Sequence, residues 1–201
     1  MADPAWSPDG RRIAFAVETG GNTKISVIGS SGGTPETLVR EDWLNGNIPS
    51  WSRDGEWVYF GSKLSGTEQL WKMPVRGGRP KQITKKGGTA GVESPDGKYL
   101  YYRKNDDPGL WKVPVDGGEE ARVIPSICPQ YFAVTRRGIY FFSGWYNPTI
   151  QFFNFATGRT ETVEDLQLPA PSRVAAVVGW GSHRHPRVAR APPLWRRSCQ
   201  S

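Results

Sequence analysis

Residues whose types could support catalysis are few and widely separated in this chain of 201 residues. The only histidines, His183 and His185, lie near the C-terminus, so no Ser-His-Asp or Cys-His arrangement can be built within the first 168 residues. The one G-x-S-x-G match, at residues 29–33, falls in a Gly-Gly hairpin turn and not at the strand-to-helix turn that a nucleophile elbow needs. The sequence therefore predicts no catalytic residues, no cofactor and no enzymatic activity.

Two carboxylate pairs, Asp106-Asp107 and Glu119-Glu120, are the remaining candidates for acid/base chemistry. Both pairs lie in predicted hairpins, where we expect them to be solvated turn residues. The paired glycines of the chain are also of hairpin type, and none has the spacing of a phosphate-binding loop before a helix. These residues favour structural roles.

The candidate metal ligands are equally isolated. Cys128 and Cys199 have no spacing typical of a zinc site or a redox pair, and His183 and His185 have no carboxylate or cysteine nearby. The sequence therefore predicts no metal site.

A pentapeptide recurs along the chain and indicates how it folds. It reads WSPDG at Trp6–Gly10, WSRDG at Trp51–Gly55 and ESPDG at Glu93–Gly97, with an eroded copy, VTRRG, at Val134–Gly138. The fourth positions of successive copies are separated by 45, 42 and 41 residues. A period near forty residues is typical of a β-propeller blade.

The residues after each pentapeptide predict four antiparallel strands per repeat. An alternating apolar strand follows the turn, then a hairpin, a third strand, a Gly-Gly turn in three of the copies and a polar outer strand. The alternating strands are predicted at 11–18, 56–62, 98–104 and 139–145. The fold class is therefore all-β, with about four propeller blades.

The repeated residues themselves favour structural roles. Asp9, Asp54 and Asp96 are predicted to tolerate a left-handed turn conformation and to accept hydrogen bonds from the turn's own amides, while the following glycine takes a positive φ. Trp6 and Trp51 are predicted to fill the wedge between neighbouring blades.

These motifs resemble the WD40-like (PD40-type) repeats of TolB-like propellers. The likeness consists of P-x-W-S-P-D-G-x-x-I-A-F, then [IL]-W-x-x-P-x-x-G-G and x-x-L-T, and it covers roughly residues 3 to 165. The resemblance implies a six- or seven-bladed ring that binds proteins or small ligands at its faces, usually without chemistry of its own. Four repeats fall short of that number, so we expect an incomplete, open propeller whose unpaired strand edges allow self-association. A fragment of a larger protein is one explanation.

The net charge of +7 comes almost entirely from the C-terminal segment. Residues 169–201 contain six arginines and no acidic residue, which leaves 20 basic against 19 acidic residues in 1–168. We interpret 1–168 as the repeat domain and 169–201 as a separate tail, because the next turn motif is due near Gly179 and is missing. Three explanations of the tail stay open: a disordered basic extension, translation out of frame, or an arm for nucleic acid or membrane.

The same balance argues against nucleic acid or a membrane as the repeat domain's partner, and the basic-aromatic segment Trp71–Lys86 is expected to place its charges on the solvent side of outer strands. The leading hypothesis is a non-enzymatic module that binds a protein or peptide. The alternatives are the sensor or gating propeller of a larger peptidase, kinase or winged-helix regulator, and a small-ligand site in a central funnel. No export signal is present, which predicts a soluble chain, whereas the resemblance points to the periplasm for many members.

Overall fold

A computed structural model describes residues 4–19, 22–44, 48–127, 131–144 and 149–165. These residues form four antiparallel sheets of four strands each and contain no helix. In each sheet the strands lie side by side in chain order, which is the meander of a propeller blade. The predicted fold class, all-β with four-stranded propeller blades, is confirmed.

The sixteen strands divide equally among the four blades. Blade 1 contains β1 (Ala5–Trp6), β2 (Arg12–Thr19), β3 (Asn22–Gly29) and β4 (Glu36–Leu44). Blade 2 contains β5 (Ser50–Trp51), β6 (Trp57–Ser62), β7 (Gln69–Pro74) and β8 (Lys81–Gln82). Blade 3 contains β9 (Gly91–Glu93), β10 (Tyr99–Arg103), β11 (Leu110–Pro114) and β12 (Ala121–Ile124). Blade 4 contains β13 (Phe132–Val134), β14 (Gly138–Ser143), β15 (Thr149–Asn154) and β16 (Thr160–Asp165).

The recurring pentapeptide forms the turn between the first and second strands of blades 1 to 3. In blade 2, Ser52 Oγ donates to Asp54 Oδ1 at 2.5 Å, and Asp54 Oδ1 accepts from the Glu56 amide at 2.9 Å. Gly55 has a φ of 70°, a conformation that glycine adopts without a steric penalty. The hydroxyl of Ser52 also accepts from the Trp57 amide at 2.9 Å, which closes the turn.

The same bonds recur in blades 1 and 3, around Asp9 and Asp96. The hydroxyl donor lowers the pKa of the carboxyl groups of Asp9, Asp54 and Asp96, and the amide donor lowers it further. The predicted bonds to the turn's own amides are therefore present. The predicted left-handed conformation of these aspartates is wrong, because among the described residues only glycines have a positive φ.

The eroded fourth copy differs from this turn in length. Three residues, 135–137, connect β13 to β14, whereas five residues, 52–56, connect β5 to β6. Gly138 is therefore the first residue of a strand, and it does not correspond structurally to the turn glycine Gly55. A Cβ on Gly138 would lie 2.1 Å from the carbonyl oxygen of Phe153, so close backbone approach explains this glycine.

The described residues of Met1–Pro125 and Val134–Arg136 form one compact unit, and those of Ser126–Ala133 and Arg137–Ser201 form a second. Blades 1 to 3 belong to the first unit. The predicted boundary at residue 168 and the whole tail, 169–201, lie outside the described residues. Among the residues that are described, no helix is long and apolar enough to span a membrane.

Candidate interaction surfaces

Each blade has two faces, which the register of its second and third strands defines. The first residue pairs of these hairpins are Arg12–Gly29, Trp57–Pro74, Tyr99–Pro114 and Gly138–Asn154. Because successive side chains of a strand point to opposite faces, the second and fourth pairs share one face and the third and fifth pairs share the other. We name the face of the second and fourth pairs the leading face, and the face of the third and fifth pairs the trailing face.

The trailing face of blade 1 packs on the leading face of blade 2. The first contributes four aliphatic side chains, the second contributes a valine and three larger side chains, and all are buried in one cluster with Trp51. These residues are Ala14, Ala16, Ile25 and Val27 from blade 1 and Val58, Phe60, Trp71 and Met73 from blade 2. Small residues on one side accommodate large ones on the other, which gives a close-packed contact.

The trailing face of blade 2 packs on the leading face of blade 3 in the same way. The buried cluster contains Tyr59, Leu70 and Ile83 from blade 2 and Leu100, Tyr102 and Val113 from blade 3. Two consecutive contacts therefore use the same positions. In blades 1 to 3, each contact between neighbours therefore pairs a trailing face with the leading face of the next blade.

Polar bonds fix the register of the first contact. The indole Nε1 of Trp51 donates to the carbonyl oxygen of Ala5 at 2.8 Å. The guanidinium of Arg12 lies over the Trp51 ring, 4.9 Å from its centroid, and donates to the carbonyl oxygen of Gly55 at 3.1 Å. Trp51 thus fills the wedge between two blades, as its position in the motif predicts.

Two buried ionisable groups reinforce the second contact. Tyr59 donates its hydroxyl to Glu93 Oε2 at 2.7 Å, and burial raises the pKa of both groups. Lys72 crosses from blade 2 to donate to the Val115 carbonyl oxygen at 3.0 Å and to Asp116 Oδ1 at 2.8 Å. The expectation that Trp71–Lys86 places its charges on the solvent side is wrong for Lys72, whose side chain is buried.

A buried ion pair completes this contact. Lys104 Nζ donates to Glu120 Oε2 at 3.0 Å and lies 3.8 Å from the centroid of the Trp111 ring. The other oxygen of Glu120 accepts from the amides of Lys85 and Lys86. Burial opposes ionisation of Glu120, but these amides, the Tyr102 hydroxyl and Lys104 outweigh it and lower the pKa of the carboxyl group. Glu120 therefore connects blade 3 to Lys85 and Lys86, which follow the last strand of blade 2.

The other predicted polar residues vary in exposure. Asp106 and Glu119 are exposed, as expected of turn residues. Asp107 accepts from the Gly109 amide at 2.6 Å and pairs with Arg122 at 3.3 Å, and Glu120 is buried rather than solvated. Sequence reasoning missed Glu120 because two of its hydrogen-bond donors, the amides of Lys85 and Lys86, belong to the preceding repeat.

The predicted absence of a metal site can be examined only in part. The described residues contain no group of three or more potential ligands. Cys128, Cys199, His183 and His185 all lie outside them.

Blade 4 is covered on only one of its faces. On its leading face, Ile139 and Phe141 are buried. On its trailing face, Tyr140 is 41% exposed, and Phe142, Ile150 and Phe152 are half-buried. Tyr140 and Phe152 form a cross-strand aromatic pair with ring centroids 4.6 Å apart. The equivalent residues of blade 2, Tyr59 and Lys72, are both buried.

Blade 1 shows the converse arrangement. Its trailing face is covered by blade 2, whereas its leading face carries Ile13, Phe15 and Ile28, which are all half-buried. Trp6, which pairs with Ile13, is 59% exposed. The prediction that Trp6 fills a wedge between blades is therefore wrong, because no described residue covers its ring as blade 1 covers Trp51. The described chain thus presents one exposed leading face and one exposed trailing face.

Comparison with known proteins identifies the family of this chain. The family profile of the TolB β-propeller domain matches residues 1–126. The chain therefore belongs to the TolB β-propeller domain family. The matched segment contains blades 1 to 3 and ends before the shortened turn of blade 4.

Solved structures with similar folds include two TolB proteins. TolB from Acinetobacter baumannii is 18% identical with a TM-score of 0.68, and the match covers 79% of this chain and 42% of that one. A putative TolB from Agrobacterium tumefaciens is 22% identical with a TM-score of 0.68, covering 82% of this chain and 65% of that one. This chain thus spans less than two thirds of either protein.

A peptidase is among the other similar structures. The puromycin-hydrolyzing peptidase of Mycobacterium tuberculosis is 17% identical with a TM-score of 0.57, and the match covers 87% of this chain and 30% of that one. At these identities the likeness shows a shared fold. No curated protein sequence matches the chain.

Proposed function

We propose that this chain is a non-enzymatic interaction module that binds a protein or peptide partner through its exposed blade faces. The observation that carries the proposal is the trailing face of blade 4, where the exposed ring of Tyr140 and the half-buried ring of Phe152 form an aromatic pair next to Phe142 and Ile150. Aromatic side chains are enriched in protein interfaces because they bury much apolar area with few rotatable bonds.

The charge of the exposed faces supports a protein or peptide over nucleic acid. The trailing face of blade 4 consists of aromatic and aliphatic side chains, and the charged residues that pair with it, Glu161 opposite Phe152 and Glu164 opposite Ile150, are acidic. Nucleic-acid sites need basic groups that neutralise phosphates. An apolar face with an acidic neighbour suits an apolar peptide or protein surface.

A selection from a displayed peptide library tests this proposal. We expect peptides that bind the full chain saturably in calorimetry, lose binding to Phe152→Asp and keep it with Tyr131→Asp. Tyr131 is a matched control because it is an exposed aromatic residue that belongs to neither face. Binders indifferent to Phe152→Asp would contradict the proposal, as would failure to recover any saturable binder from a chain that is monomeric.

The length of the related structures favours a second candidate. The chain covers 42% of the Acinetobacter TolB and 30% of the mycobacterial peptidase, so it can also serve as the sensor or gating part of a larger enzyme or regulator. The coding sequence on either side of residues 1–201 tests this: a hydrolase, kinase or winged-helix sequence in frame supports it, and flanking stop codons contradict it. In either case we expect the chain alone to show no hydrolysis of aminoacyl-p-nitroanilides.

A further inference from the structure

The two exposed faces are complementary halves of the contact that this chain already makes twice. In both contacts among blades 1 to 3, a trailing face packs on a leading face through the third to fifth pairs of one hairpin and the second to fourth pairs of the next. Blade 4 presents an exposed trailing face and blade 1 an exposed leading face. We propose that the trailing face of blade 4 binds the leading face of blade 1 in a second copy of the chain.

The side chains at equivalent positions support this partner. Phe15 of blade 1 corresponds to Phe60 and to Tyr102, which are buried against the preceding blade. Ile13 and Ile28 likewise correspond to Val58 and Met73. The leading face of blade 1 thus has the residue types that a trailing face covers elsewhere in the chain.

Blade 4 offers the matching surface. Tyr140 corresponds to Tyr59, which is buried against the leading face of blade 3, and Ile150 corresponds to Leu70. The side chain of Phe152 stands where blade 2 has Lys72, so an aromatic ring replaces a lysine that crosses to the next blade. The contact across copies is therefore more apolar than the one between blades 2 and 3.

The exposed tryptophan fits the same geometry. Trp6 corresponds to Trp51, whose indole donates to the Ala5 carbonyl oxygen of the preceding blade. In the proposed contact, the carbonyl groups of β13 in the second copy occupy the place of Ala5. Burial of Trp6 is thus a specific consequence of the contact.

The contact joins copies head to tail, because it uses one face of the first copy and a different face of the second. A single contact gives a dimer, and a contact that repeats without closing gives longer open chains. We expect a dimer at the lowest concentrations at which the chain associates. This inference rests on the proposed function, since it names the protein that the faces bind.

Mixing two variants tests the contact. Phe15→Asp disables the leading face and leaves the trailing face of the same chain intact, and Phe152→Asp does the reverse. By light scattering after size exclusion, we expect the full-length chain to be a dimer and each variant alone to weaken dimerisation by about thirtyfold or more. An equimolar mixture of the two variants restores a dimer of one copy of each, held by the single pair of intact faces.

The controls separate folding from association. Circular dichroism must show each variant folded; if Phe15→Asp or Phe152→Asp is not, the more exposed positions replace them, as Trp6→Asp and Tyr140→Asp. Tyr131→Asp should remain dimeric. In the dimer, Trp6 fluorescence should shift to the blue relative to the monomer, with Trp6→Phe as the reference that lacks this contribution.

Several results would overturn the inference. A monomeric chain at all concentrations rejects it, as does a mixture of the two variants that remains monomeric while the wild-type chain dimerises. If the chain is monomeric but selected peptides still bind the blade 4 face, the interaction function stands and the second copy is not the partner. If peptides also fail to bind, both proposals fall.

Discussion

Trp6 and Trp51 occupy the same position in successive repeats, yet one is 59% exposed and the other 7%. Both are the last residue of a two-residue inner strand, and both precede a Ser-x-Asp-Gly turn with the same hydrogen bonds. Their surroundings differ because blade 1 covers Trp51, while no described residue covers Trp6 in the same way. The repeat places apolar residues on the leading faces of blades 1 to 3. Such a face becomes part of the core only where a neighbouring blade packs on it.

The largest expected effect compares equivalent phenylalanines on covered and exposed faces. Phe60→Ala should lower the free energy of unfolding by about 3–5 kcal/mol, because Phe60 is 1% exposed within the cluster between blades 1 and 2. Phe15→Ala in the monomeric state should cost about 1 kcal/mol, since its ring is only half-buried. Urea denaturation measures both. Equal losses would show that the two faces do not differ as described.

The second comparison sets the buried ion pair against an exposed one. Lys104→Met leaves the Glu120 carboxylate buried without its cation, and we expect a loss of about 3–5 kcal/mol. Arg76→Met breaks the pair of Arg76 with Glu56, whose side chains are both largely exposed, and should change stability by less than about 1 kcal/mol. Thermal and urea denaturation at one pH give both values. Comparable losses would show that the Lys104–Glu120 pair is not buried as described.

A smaller effect is expected from the indole hydrogen bond. Trp51→Phe removes the donor to the Ala5 carbonyl oxygen and should cost about 1 kcal/mol, because that partly buried oxygen loses its hydrogen bond. Trp6→Phe should be close to neutral in the monomer. A neutral Trp51→Phe would mean that the bond adds nothing to the contact between blades 1 and 2.

The smallest effect is a pH dependence at Glu93. Burial raises the pKa of this carboxyl group in the folded state, so its stabilising contribution is complete below the ordinary pKa and is lost as the pH rises through the raised value. The stability of Glu93→Gln relative to wild type should therefore increase as the pH rises above the ordinary glutamate pKa of about 4.3. Urea denaturation at a series of pH values measures it, and Glu119→Gln, at an exposed residue, is the control. A difference that does not vary with pH would contradict the raised pKa.

Much of the fold could be predicted from the sequence because the signals are local. The alternating strands, the Asp-Gly turns and the period near forty residues each depend on a few neighbouring residues. The fourth turn was harder, since Val134–Gly138 keeps a glycine at the expected spacing while the turn has lost two residues. The spacing of a motif alone does not distinguish a turn glycine from a strand glycine.

Burial and exposure at the candidate surfaces depend on residues of neighbouring repeats and cannot be predicted from one repeat alone. Glu120 lies in a hairpin that reads as solvated, yet its side chain is buried by the amides of Lys85 and Lys86 and by Lys104. Tyr140 and Phe152 read as ordinary strand residues, yet Tyr140 is exposed and Phe152 is only half-buried. Exposure depends on the adjacent blade, which local patterns do not specify.

The sequence by itself determined the blade: its four strands, its turn chemistry and its alternating faces, because hydrogen bonding and side-chain alternation act over a few residues. Only the tertiary structure decided which faces became core and which stayed exposed. The physical reason is that burial of an apolar face requires a second surface of matching shape, and that surface belongs to a neighbouring repeat some forty residues away.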